Sequence, residues 1–272
     1  MVAGKTMQDR DGIDRLENHM ESILNLLWAL GLMAIAIALS TWQRLGLAWP
    51  LALATGRMVL QLVVLGYVLA AVFAINSPGL VLLAVLGLLV LATVTTSNRI
   101  SPSLPYVRWW VGGSLGVGLL LVMAYTTLLV FRPANWYSPQ YVIPLAAIVL
   151  GYGMNAAAVT GERFVSTLKA SRWEIETHLS LGATPQQAIA PYRQAAIQAG
   201  MMPILNTMML AGLVTIPQIM AGQLLSGIAP LTAMAYQLVI FVMVACATLI
   251  TLCLVTWGLG RQYFNAAAQL IR

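Results

Sequence analysis

All eight carboxylates of this chain fall in two places. Asp9, Asp11, Asp14, Glu17 and Glu21 lie in the N-terminal tail, and Glu162, Glu174 and Glu176 lie near the middle. An Asp at the centre of a bilayer costs about 3 kcal/mol, so acids confined to two short stretches mark a chain threaded repeatedly through hydrocarbon. Composition agrees, with 60% hydrophobic and 8% charged residues over 272 positions. A soluble domain of that length cannot hide so much apolar surface, and the chain reads as one all-α polytopic membrane domain.

Apolar runs at 22–40, 57–75, 79–96, 109–131, 141–160, 201–224 and 232–258 predict about seven transmembrane helices. The connections Asn76–Gly79 and Ser226–Pro230 carry turn chemistry and no charge. The alternate connections carry Arg44 and Arg57, then Arg99 and Arg108, then Arg163, Lys169, Arg172 and Arg193, then Arg261 and Arg272. An excess of basic residues marks the cytoplasmic side, which places the N-terminus outside and the C-terminus in the cytoplasm. The expected division is a polar tail over 1–21, a transmembrane domain over 22–260 with a polar cytoplasmic region at 161–200, and a short cytoplasmic tail over 261–272. The plasma membrane is the expected location.

Several function classes fall away on the same residues. The spans lack the carboxylate that proton-coupled carriers use to change protonation in the bilayer. The net charge of +6 is dispersed at span ends beside Trp42, Trp49, Trp109, Trp110, Trp136 and Trp257, a pattern of membrane anchors and not of nucleic-acid binding. The first apolar run follows too long a polar tail, and is itself too long, to be a cleavable signal. Gly4-Lys5-Thr6 lacks the first glycine and the strand of a phosphate-binding loop. Cys246 and Cys253 share a helical face without a third ligand, and His19 and His178 have no metal-ligand spacing. The chain is therefore not an enzyme by itself and binds no cofactor of its own.

The polar region at 161–200 has internal design. Phe164, Leu168, Ile175 and Leu179 fall within about 60° of one another at helical spacing and predict one amphipathic helix. Gly182 stops it as a glycine just past a helix end does. Thr184, Pro185 and Gln187 supply the N-cap, first-turn proline and capping box of a second helix that runs on toward the sixth span. The expectation is a helix-turn-helix held at the cytoplasmic surface, where a loop on a rigid scaffold can receive a partner.

The segment Glu176-Thr177-His178-Leu179-Ser180-Leu181-Gly182-Ala183-Thr184-Pro185-Gln186-Gln187-Ala188 resembles the cytoplasmic loop by which ABC-transporter permeases dock into their ATP-binding subunit. Gly56-Arg57, Gln61-Leu62, Gly66-Tyr67-Val68-Leu69, Ile143-Pro144, Gly153-Met154-Asn155, Gly212-Leu213-Val214 with Pro217, Met220 and Gly222, and Tyr236-Gln237 extend the likeness over more than half of the chain. Together they resemble the FetB type of permease, bacterial iron exporters with plant relatives linked to nucleotide-sugar transport and aluminium tolerance. That resemblance implies a permease homodimer in the lipid bilayer, driven by a separate cytoplasmic ABC subunit that holds ATP and Mg. It implies a coupling role for Glu176, Leu179, Leu181, Gly182, Ala183, Thr184, Pro185 and Gln187.

Polar groups and helix breakers gather in the fifth and sixth spans, and Arg57 and Gln61 stack one turn apart at one end of the second. Arg57, Gln61, Asn155, Asn206, Thr215, Pro217, Gln218, Met220 and Gln237 are the candidate pathway residues. Packing explains many Gly, Pro and Thr positions equally well, but an amide side chain is costly in lipid. Thioethers of residues such as Met202 and Met209 could serve a soft cation or simply fill space. Iron would normally seek carboxylate or imidazole ligands, and the predicted spans hold neither.

Overall fold

The computed structural model describes residues 28–100, 106–132 and 135–264. The chain divides into two compact units, Met1–Ala71 and Val72–Arg272. In the first, helix α1 (Trp28–Trp42) turns through Arg44 and Gly46, both at positive φ, into α2 (Ala48–Ile75), whose last four residues fall in the second unit. Val72 is the sole buried residue of α2, so the helix presents an apolar surface along nearly its whole length. The expected first span at 22–40 lies partly outside the described residues.

The second unit is a bundle of α3 (Pro78–Ile100), α4 (Val107–Tyr125), α5 (Pro139–Ala170), α6 (Arg172–Ser180), α7 (Pro185–Leu210), α8 (Gln218–Leu225) and α9 (Pro230–Arg261). Two 32-residue helices organise it: α5 packs on α3, α7 and α9, and α9 packs on α4, α5, α7 and α8. With no water to satisfy backbone groups, a membrane bundle must close its hydrogen bonds within each helix and gain its cohesion from close packing. Gly200 shows how: it lets α7 approach the Ala156 carbonyl and the Thr160 hydroxyl of α5 so closely that any Cβ would collide. Thr251 of α9 bonds its own Ala247 carbonyl at 2.8 Å and reaches the Ser114 carbonyl of α4 at 3.4 Å. The last turns of α4 widen into a π-helix over Thr126–Phe131, where Phe131 stacks on Tyr236 of α9 at 5.6 Å.

Among the described residues five helices are long and apolar enough to cross a membrane: α2, α3, α4 with its π extension, α5 and α9. The chain is a multi-pass membrane protein. Two expectations need correction. The sixth span, expected as one run over 201–224, is interrupted: α7 ends at Leu210, Gly212 takes a left-handed φ of +81°, and α8 starts only after Pro217. Hydropathy sums across such a break because Leu213, Val214 and Ile216 are apolar. The single amphipathic helix expected from Phe164 to Leu179 is two pieces, since α5 continues to Ala170 and Ser171 separates it from α6.

The depth of the interruption follows from register. Arg193 of α7 bonds Cys253 and Thr256 of α9, Ile189 meets Gly260, and the two helices therefore run antiparallel. Leu210 lies 17 residues (210 − 193) beyond Arg193, about 25 Å at 1.5 Å per residue, which brings it level with the region of Gln237. Helix α9 continues from Gln237 to Pro230, another seven residues (237 − 230) or about 10 Å. The break thus sits about two turns short of the Pro230 end of α9.

Candidate functional site

The corner between α6 and α7 is held by local bonds at every step. The Ala183 amide donates to the His178 carbonyl at 3.0 Å and the Gly182 amide to the Leu179 carbonyl at 3.0 Å. This pair is a Schellman closure, and it needs the left-handed φ of +91° that Gly182 adopts. One residue later Thr184 opens α7 with a complete capping box: the Gln187 amide donates to Thr184 Oγ1 and the Thr184 amide to Gln187 Oε1 at 2.9 Å. A stop and a start so close together leave the corner little freedom.

Its inner side is bolted to the bundle. Phe164, Leu168 and Ile175 are fully buried, Ala188 and Ile189 nearly so, and Leu179 packs partly against the same core as Val255, Leu259 and Tyr263 of the C-terminal end. Tyr192 of α7 hydrogen-bonds Glu174 and Ser171, joining the second helix back to the first. Burial pushes its phenol above the ordinary value, the Glu174 carboxylate adding to the rise. Arg172 and Glu176 pair at 2.8 Å across one turn of α6, a half-exposed pair of small energetic value.

The outer side is the reverse. Leu181 is 79% exposed and Trp173 82% exposed, although both belong to the one part of the second unit whose sequence is polar. Two large apolar groups beside a rigid corner are thus left uncovered by the bundle itself. Of the eight predicted docking residues, Leu181, Gly182, Thr184 and Gln187 are exposed, Glu176, Ala183 and Pro185 are half-buried, and Leu179 turns inward.

The predicted pathway residues separate into groups. Arg57 and Gln61 are exposed on α2 in the first unit. Asn155 is exposed on α5, its amide nitrogen donating to the Gly151 carbonyl at 3.1 Å, and Asn206 is exposed on α7. Thr215, Pro217, Gln218 and Met220 gather at the interruption: Thr215 returns its hydroxyl to the Leu210 carbonyl, Pro217 is the N-cap of α8, and Gln218 opens that helix. Gln237, only 5% exposed, accepts the Met220 amide at 3.3 Å and so caps α8 from α9. Among the described residues no three His, Cys, Asp or Glu side chains gather to hold a metal ion.

Residues 23–264 match the uncharacterised protein family UPF0014. The chain belongs to that family. It is 45% identical to a UPF0014 membrane protein of Synechocystis over 90% of this chain and 94% of the relative. Identity to the UPF0014 membrane protein STAR2 of rice is 32%, over 89% of this chain and 84% of the relative. Identity to the Escherichia coli protein named "Probable iron export permease protein FetB" is 28%, over 94% and 97%. These names match the resemblance drawn from the sequence motifs. No solved structure matches.

The UPF0014 match contains both the corner and the interrupted span. Within it, three residues escape the sequence reading. Trp173 could have been flagged as a large aromatic inside a polar stretch, but Tyr192 and Arg193 carry no local signal. Arg193 reads as one more positive charge, whereas the fold uses its guanidinium to tie α7 to the Thr256 hydroxyl at 3.0 Å and the Cys253 carbonyl at 3.1 Å.

Proposed function

We propose that this chain is the membrane permease subunit of an ABC-type transporter exporting iron or another metal, working as a homodimer with two copies of a cytoplasmic ATP-binding subunit. The ATPase supplies ATP and Mg chemistry; this chain supplies the path and the docking site at Leu179–Ala188. The observation that carries the reading is the corner, exposed at Leu181 and Trp173 and anchored behind at Phe164, Leu168 and Ile175. Force applied at its tip would pass into α5 and α7, on which α6 packs, and through the start of α7 into α9, which Ile189 meets at Gly260.

The metal cargo rests on likeness to the protein named as an iron export permease. A second reading, a nucleotide sugar or other small solute, is favoured by the chemistry of Asn155, Asn206, Gln218 and Met220, which offers amides and a thioether and none of the carboxylate or imidazole ligands a bare hard cation seeks. If a neighbouring gene encodes an ATP-binding subunit, co-expression of the two should give a complex that survives purification. Leu181→Asp should remove the partner while leaving the thermal midpoint of the permease unchanged. Vesicles containing both subunits should move iron only with ATP. Transport by this chain alone would overturn the reading, and ATP-dependent movement of a nucleotide sugar instead of iron would select the second cargo.

A further inference from the structure

A cavity of about 500 Å³ opens between the first turns of α7 and the last turn of α9. Two guanidinium groups line it, Arg193 and Arg261, and no carboxylate does. The three acids among the described residues lie elsewhere: Glu176 pairs with Arg172, Glu174 meets Tyr192, and Glu162 is exposed on α5. The positive end of α7 adds to the same field, because the helix begins at the cavity wall with Pro185. Arg193 spends its Nε and one Nη2 hydrogen on Thr256 and Cys253, which leaves guanidinium donors unspent. Arg261 lies 3.9 Å over the Trp257 ring, a fixed position for a second cation.

The rest of the wall is apolar. Ile189, Trp257 and Phe264 give it a greasy side at the level where α9 leaves its apolar run. A small inorganic anion would satisfy the arginines and leave that side empty. We propose that this cavity binds the headgroup of an anionic phospholipid, its phosphate against Arg193 and Arg261 and its glycerol and upper acyl chain against Trp257 and Phe264. Basic pockets between membrane helices at the interface are suited to this ligand class, and the tryptophan-arginine pairing belongs at that depth. The proposal needs the membrane fold but not the ATP-binding partner.

The test uses the full chain in mild detergent, titrated with phosphatidylglycerol, phosphatidylcholine or inorganic phosphate, with bound lipid counted by native mass spectrometry. Wild-type protein should retain phosphatidylglycerol in preference to phosphatidylcholine and gain a raised thermal midpoint from it. Arg261→Gln should weaken that retention about fivefold, the effect expected of one interfacial arginine, without lowering the lipid-free midpoint. The pair Arg193→Gln with Arg261→Gln should erase the preference between the two lipids. Equal retention of both lipids by the wild type, or an undiminished preference in the Arg261→Gln protein, overturns the proposal. Protection by inorganic phosphate that matches phosphatidylglycerol overturns it too, by assigning the site to a soluble anion.

Discussion

The two ends of α7 are built on opposite terms. At Pro185 the helix starts from a capped corner whose backing residues Phe164, Leu168 and Ile175 are fully buried. At Leu210 it ends in an interruption followed by α8, a helix with no buried residue, held to its neighbour through the Gln237 side chain. One end is over-determined, and the other is tied, among the described residues, by a single side-chain hydrogen bond to Gln237. The proposed docking role would use this asymmetry, since stiff parts transmit displacement and loosely packed parts absorb it.

The largest expected effect tests the stiff end. Phe164→Ala should destabilise the protein by about 4 kcal/mol, as large aromatic truncations in a packed core do, read as a drop in thermal midpoint in detergent. Leu213→Ala, in the interruption and 84% exposed, should cost under about 0.5 kcal/mol. Similar losses for the two would end the contrast. Gln237→Leu leaves the Met220 amide without its partner and should cost about 2 kcal/mol. Hydrogen exchange should rise over 211–225 and stay level over 172–190; a rise across both would show that α8 is not a separately held piece. Tyr192→Phe removes the bond to Glu174 and Ser171 and should cost about 1 kcal/mol, with faster exchange confined to α6. Glu176→Gln, like Leu213→Ala, should cost under about 0.5 kcal/mol, read from the thermal midpoint, because its pair with Arg172 is solvent-screened.

The corner was legible because its determinants are local. Gly182, Thr184, Pro185 and Gln187 lie within six positions, and each demands its geometry by its own chemistry. The break at Ser171 was not, since Phe164, Leu168, Ile175 and Leu179 keep helical phase across it and nothing in their spacing reports a change of axis. The interruption of the sixth span left two marks, Gly212 and Pro217, that a window of average hydropathy smooths away. Gln237 illustrates a different limit. Sequence identifies a costly amide inside a span but not the neighbour that satisfies it, and here the neighbour is the backbone of Met220, 17 residues upstream.

The unbroken course of α7 from the corner to the interruption has one more consequence. Its 26 residues make a rod of about 39 Å, opened by the Thr184 capping box and crossed near the middle by the tight approach of Gly200 to α5. Tilted as one piece, such a rod would pivot at Gly200. A tilt of about 5° would swing the Leu210 end, about 15 Å from that fulcrum, by roughly 1 Å, and would move the Pro185 end by roughly 2 Å in the opposite sense. Such leverage would be geared down: a larger movement at the corner would become a smaller, more forceful one at the interruption.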